Sequence, residues 1–300
     1  MDRSRQVQPN DCNFDADGLR YAGLEWGDPD GTPVLALHGW MDHAAGFGEL
    51  APRLAGCHVV ALDLSGQGLS THRAAHATYN IWDDLPQIVD ILDQLGWDDC
   101  VVMGHSRGAN IATLLTAAQP DRVRALVALD SIVTEPVPED DVVKTLRAFV
   151  DQTRASMTRP PRTFASKAAY IQRRREQGNS ELTSQALADR ALQDVPDGVR
   201  MRGDARLFAS SAMKFTPAQV RAVLGAVQCP VLNIWAQKGV KHTRPGTAIL
   251  AQMAQDLVAT YETMDLPGDH HFHLDAEVAQ NIADAVLSFL ERHKARGALS

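Results

Sequence analysis

The chain has 300 residues, 45% of them hydrophobic and 22% charged, and a net charge of −8 at pH 7. This length buries one large α/β domain or two smaller ones. The acidic balance gives nucleic-acid binding no electrostatic support, and no apolar run approaches the roughly 18–20 residues that cross a bilayer.

Residues 1–12 read as disordered. The start of the chain, Met1 to Asn10, is polar and lacks a secretory-type apolar stretch, so the cytoplasm is the expected compartment. Leu19 to Trp26 reads as a first strand or hairpin, followed by the turn Gly27-Asp28-Pro29-Asp30-Gly31. Continuous apolar runs then recur at Pro33–Leu37, His58–Asp63, Cys100–Met103, Ala125–Leu129 and Pro230–Trp235. Such runs suit strands covered on both faces. Helical patterns at Phe47–Leu54, Ile81–Leu95 and Ala109–Ala118 separate most of them. The alternation implies a mostly parallel sheet with helices on both faces, whose site lies beyond the carboxyl ends of the strands. From about Thr134 to Thr216 the rhythm breaks, and the stretch reads as several helices inserted over the sheet. Tyr261 re-enters a core pattern, and Val278–His293 reads as a final amphipathic helix. The domain expectation is a core of 1–133 and 217–300 with a helical cap at 134–216. Cys12, Cys57, Cys100 and Cys229 are scattered with no CxxC pair, so reduced thiols are expected and no metal or organic cofactor is implied.

The segment Val101 to Ala109, with Gly104-His105-Ser106-Arg107-Gly108 at its centre, is the most informative. A serine on a sharp strand-to-helix turn has its hydroxyl pushed out of the sheet, and glycines on either side avoid clashes. The helix start aims unpaired N–H groups at the same spot. Ser106 is therefore the candidate nucleophile. After the first apolar strand comes His38-Gly39-Trp40-Met41. Gly39 lets the backbone approach a ligand, and the N–H groups of Trp40 and Arg107 are candidate oxyanion donors. His38, Gly39, Met41 and His105 are candidate substrate contacts, although His38 also reads as a loop-tying histidine. After the last short strand, Gly268-Asp269-His270-His271-Phe272-His273-Leu274-Asp275 offers three histidines for the general base.

With these motifs, and with Asp63-Leu64-Ser65-Gly66-Gln67-Gly68-Leu69-Ser70, the chain resembles α/β-hydrolase-fold serine hydrolases with a helical cap. Within them it is most similar to the serine hydrolase-like proteins. The resemblance spans nearly the whole chain and implies an eight-stranded, mostly parallel sheet and the order nucleophile, acid, histidine. It also implies an acidic residue about five positions after the base, so Asp275 selects His270. Many members carry the acid in a Gly-x-x-Asp pattern after the strand equivalent to Val231–Trp235. Here that stretch reads Ala236-Gln237-Lys238-Gly239. Asp130, just past Ala125–Leu129, matches the position used by other branches of the fold, including haloalkane dehalogenases. Glu135 and Asp265 are the reserves.

These residues imply a hydrolase of the carboxylesterase or thioesterase kind (EC 3.1), acting on a small-molecule ester or thioester through Ser106, His270 and Asp130. Rival readings are a triad-dependent C–C bond hydrolase, a haloperoxidase-like enzyme, and a non-catalytic binding protein on the same fold. Arg107 and the stretch Arg154–Arg175, with seven basic residues and no acidic one, hint at an anionic or carrier-linked substrate. The oligomeric state is not legible.

Overall fold

The computed structural model describes residues 8–295 apart from Arg159 and Gly178. Asn10–Ala16 (β1) and Leu19–Trp26 (β2) pair antiparallel across Asp17-Gly18. Both turn residues take positive φ, 50° and 72°, which suits the twist of a two-residue hairpin. Disorder over 1–12 therefore fails for residues 10–12, which open an edge strand. Residues 1–7 lie outside the described residues, as do Arg159 of the basic run and residues 296–300 of the expected core.

Thr32–Leu37 (β3) and Cys57–Leu62 (β4) match two of the apolar runs. Between them the expected helix Phe47–Leu54 is two short 3-10 turns, Ala44–Phe47 and Ala51–Arg53. Gly46, Gly48 and Pro52 leave no uninterrupted turn of good helix formers there. Leu85–Gln94 (α1) starts four residues later than Ile81, with Pro86 in its first turn. Cys100–His105 (β5), Arg107–Ala118 (α2) and Val123–Leu129 (β6) follow as expected.

The insertion holds Val142–Thr158 (α3), Thr163–Phe164 (β7), Lys167–Glu176 (α4), Glu181–Ala191 (α5), Leu192–Val195 (β8) and Gly198–Met201 (β9). The three strands form a small antiparallel sheet in the order β7-β9-β8. The purely helical expectation is corrected here: these strands are two to four residues long, too short for a period-2 signal. Arg190 of α5 ties the insertion to the core, its Nε donating to the fully buried Asp63 carboxylate at 2.9 Å.

Pro217–Gly225 (α6), Val231–Lys238 (β10), Val240–Thr243 (α7), Pro245–Leu257 (α8), Tyr261–Asp269 (β11) and Ala276–Ala295 (α9) complete the chain. The main sheet runs β1-β2-β4-β3-β5-β6-β10-β11. The β1–β2 and β2–β4 pairs are antiparallel and the rest parallel. Alternate residues of one strand enter different cores. Leu35 and Leu37 pack with Ile88, Ile91, Leu115 and Val220 of α1, α2 and α6. Val34 and Ala36 pack with Ile282, Val286 and Phe289 of α9 on the other face. Each face therefore removes a continuous apolar surface from water, at about 25 cal/mol per Å². Among the described residues no helix is long and apolar enough to cross a membrane.

Candidate active site

The carboxyl ends of β3, β5, β6 and β11 deliver the key residues to one edge of the sheet. At the end of β5, Ser106 has φ 52° and ψ −117°. A Cβ at Gly104 would overlap the Gly108 backbone, and one at Gly108 would overlap Leu37 O, so neither position tolerates a side chain. Those overlaps are the physical content of the two glycines in the motif. Outside the hairpin, the described non-glycine residues with positive φ are Met41, Ser106 and Asp130, all at this edge. Backbone strain of this kind concentrates where the surroundings over-determine a conformation.

Ser106 Oγ lies 2.8 Å from His270 Nε2, and His270 Nδ1 lies 2.6 Å from Asp130 Oδ2. Ionised carboxylates only accept, so Nδ1–H donates to Asp130 and Nε2 is left to accept the serine proton. The Asp130 carboxylate is fully buried. It also accepts from the amides of Ala236 (3.0 Å) and Val240 (2.9 Å), at the end of β10 and the start of α7. Gly239 lies between those amides. A Cβ there would overlap both carboxylate oxygens of Asp130. β10 sits between β6 and β11 in the sheet, so the carboxylate from β6 fills the space that a side chain after β10 would otherwise occupy. Asn233 of β10 supports this turn, donating to the carbonyls of Ala128 (2.9 Å) and Ser131 (3.0 Å). The reserve acids are engaged elsewhere: Glu135 by Thr247 Oγ1, Asp265 by Lys241. Asp275 receives the amides of Glu277 and Val278 and so caps α9.

The amides of Trp40 and Arg107 have no acceptor among the described residues, whereas the loop that follows Trp40 is tied down firmly. Met41 N donates to Gln67 Oε1 at 2.7 Å, and Ala44 N to Asp63 Oδ1 at 2.7 Å. Sequence reasoning missed Gln67 as a support, although it stands inside the Asp63–Ser70 motif.

Two expected substrate contacts, His38 and His105, lie away from the cavity. His38 is fully buried, its Nδ1–H donating to Gly39 O (2.7 Å) while Nε2 accepts from Leu64 N (2.9 Å). It ties the loop and does not reach the cavity. His105 is fully buried behind His270, donating from Nε2 to the His270 carbonyl at 2.7 Å. Met41 is buried and faces a small side pocket, while Gly39 packs against His105 and the Ser106 Cβ. The Arg107 guanidinium also turns away, donating to Tyr79 O at 3.1 Å, so it offers nothing to a substrate anion.

Four imidazoles cluster at the site with tilted rings, the centroids of His105 and His270 4.8 Å apart and those of His105 and His273 4.2 Å apart. Burial, then the neighbouring imidazoles, hold His105 and His271 well below the ordinary histidine value. Burial likewise pushes His273 down to about 4. The cluster is thus kept neutral behind the one imidazole that touches serine. His105, His273 and Asp42 bring donor atoms within 4.8 Å of one another, the one grouping among the described residues with metal-ligand spacing. It is closed off from the cavity that holds Ser106.

That cavity, of about 780 Å³, is lined by Trp40, Ser106 and His270 of the core and by Arg174, Gln177 and Asn179 of the insertion. The sequence profile of the alpha/beta hydrolase fold matches residues 32–276. The chain belongs to the alpha/beta hydrolase fold family. This hydrolase-fold chain is 29% identical over 291 residues to a serine hydrolase-like protein of Dictyostelium discoideum, covering 92% of this chain and 80% of that one. It is 29% identical over 281 residues to a serine hydrolase-like protein of Danio rerio, covering 90% and 84%. The resemblance to the serine hydrolase-like subgroup is thereby borne out. Among solved structures it is similar to a hypothetical protein of Pseudomonas aeruginosa PAO1, with TM-score 0.88, 33% identity and coverage of 94% and 99%. It is also similar to a thioesterase domain from the curacin biosynthetic pathway, with TM-score 0.78, 26% identity and coverage of 93% and 99%.

Proposed function

We propose that this hydrolase-fold protein is a serine hydrolase cleaving an ester or thioester through an acyl-enzyme intermediate. The observation that carries the reading is the hydrogen-bonded chain Ser106–His270–Asp130 opening into the cavity. His270 Nε2 takes the Ser106 proton as Oγ attacks the substrate carbonyl carbon. Negative charge develops on the carbonyl oxygen, and the Trp40 and Arg107 amides receive it. The C–O or C–S bond then breaks, and His270 returns the proton to the leaving alcohol or thiol. Water repeats the sequence on the acyl-serine, releasing the acid and restoring Ser106. Asp130 holds the imidazole tautomer and offsets its transient positive charge. Residues 134–216 act as a cap that closes the cavity and sets substrate choice. The similar thioesterase domain supports including thioesters.

Labelling with a fluorophosphonate tests this. The expected result is labelling of the wild type, none of Ser106→Ala, and loss of p-nitrophenyl ester turnover in the same variant. Labelling that persists in Ser106→Ala, or a wild type inert to the probe, overturns the nucleophile assignment. A panel of aryl esters and acyl thioesters then separates the two substrate classes.

A further inference from the structure

Three consecutive arginines of α4 meet different fates. Arg173 pairs with Glu176 (3.5 Å) and Arg175 with Glu181 (2.8 Å) at the surface. Arg174 forms no ion pair among the described residues and lines the cavity that contains Ser106. Its Nε is buried without a partner. One turn back on the same helix, Tyr170 is 2% exposed, and its hydroxyl is also buried without a partner. Residues four apart share a helix face. Both line a side pocket of about 70 Å³ that shares Trp40, Arg174 and Gln177 with the wall of the main cavity.

Two buried donors without acceptors are costly, and a partly buried unpaired guanidinium more so. Chains retain such a cost at functional positions. The cavity's own carboxylates do not serve. Asp130 is spent on His270 and two amides, Glu135 accepts from Thr247, and Asp269 accepts from the His271 amide. The guanidinium fork matches a carboxylate or comparable planar anion. Lys238 and Arg244 on the same cavity wall add positive potential.

We propose that Arg174 and Tyr170 form an anion subsite, and that the preferred substrate is an ester or thioester bearing a carboxylate. This rests on the hydrolase reading above and narrows its substrate class. It also relocates the sequence hint: Arg174 of the basic run lines both the main cavity and the side pocket, Arg162 and Arg173 line the side pocket, and Arg107 lines neither.

The test compares mono-p-nitrophenyl adipate with p-nitrophenyl hexanoate, which places the anion on the acyl side. A second arm compares 4-acetoxybenzoate with phenyl acetate, which places it on the alcohol side. In one arm the wild type should prefer the anionic ester, and Arg174→Ala should cut that kcat/KM preference about 10- to 100-fold, the scale of a charge-assisted hydrogen bond. Tyr170→Phe should cut it less, and Arg174→Lys should keep part of it. Arg175→Ala, the same charge change on the outer face, should leave it intact. No preference in either arm, or a preference indifferent to Arg174, overturns the subsite. If Arg174→Ala does not fold, Arg174→Gln gives the same reading. Should no ester be turned over, the hydrolase reading fails by itself. Titration of adipate into Ser106→Ala, with and without Arg174→Ala, then decides the subsite: Arg174-dependent binding supports it, and absent or unchanged binding overturns it.

Discussion

Gly239→Ala is the most revealing perturbation, because residue 239 carries no functional group. Its φ of −89° is open to any residue, so the backbone itself accepts alanine. The added methyl, however, would stand where the two Asp130 oxygens are. Either the carboxylate leaves, giving up His270 Nδ1 and the amides of Ala236 and Val240, or the β10–α7 turn is pushed away. A displacement of about 1 Å at an orienting group costs on the order of 100-fold in rate. Complete loss of the orienting acid costs about 10,000-fold. We expect Gly239→Ala to lower kcat by about 100- to 10,000-fold. Uncompensated burial of the carboxylate should also lower stability by roughly 3–5 kcal/mol. Steady-state kinetics on an aryl ester and urea unfolding read the two effects. The decisive control is the double variant: in an Asp130→Ala background the same methyl meets no carboxylate and should change neither activity nor stability by much. Activity of Gly239→Ala within tenfold of wild type, or undiminished sensitivity to it in the Asp130→Ala background, refutes the reasoning.

Single alanine variants of the three loop histidines should separate them. His270→Ala abolishes turnover and fluorophosphonate labelling, whereas His271→Ala and His273→Ala retain measurable labelling. An equally dead His271→Ala with His270→Ala active would move the base by one residue. The neutral cluster predicts acid sensitivity. Above the ordinary value of 6.5 both folded and unfolded chains carry neutral imidazoles. As pH falls below it the unfolded chain binds protons that folded His273 refuses down to about 4, with His105 and His271 depressed in the same direction. Stability is thus lost on acidification, by about 1.4 kcal/mol per pH unit for each refusing imidazole. Urea unfolding between pH 7 and pH 5 should show the slope, and His273→Asn should reduce it by one imidazole's share. An unchanged slope in that variant removes His273 from the account. Arg190→Ala leaves the buried Asp63 without its cation and should cost about 3 kcal/mol. A melting temperature equal to wild type would show that the amides of Ala44 and Leu69 satisfy Asp63 alone.

Much of the site is legible in the chain because its motifs are local. A strand, Gly104-x-Ser106-x-Gly108 and a helix fix the serine's conformation within ten residues. The loop of Trp40 likewise follows an apolar run, and the loop of His270 announces itself by three histidines within four residues. The hairpin of β1 was also within reach through Asp17-Gly18, but the polar strand NDCNFDA hides it, since an edge strand need not be apolar. Side-chain direction is a different kind of property. Nothing in the order of residues says that His105 and Arg107 turn inward while Arg174 faces the cavity, although His38 already reads as a loop-tying histidine. Those outcomes depend on which space the packed neighbours leave free.

The sequence by itself determined the alternation that makes a parallel sheet, the strained serine turn and the three histidines competing for one role. Only the tertiary structure decided how the acid reaches the base. Strand order places β10 between β6 and β11, and the missing side chain at Gly239 leaves a hole there of carboxylate size. Asp130 fills it from β6, and from there it orients His270, 140 positions further along the chain. A vacancy is created by packing, and no single segment encodes it.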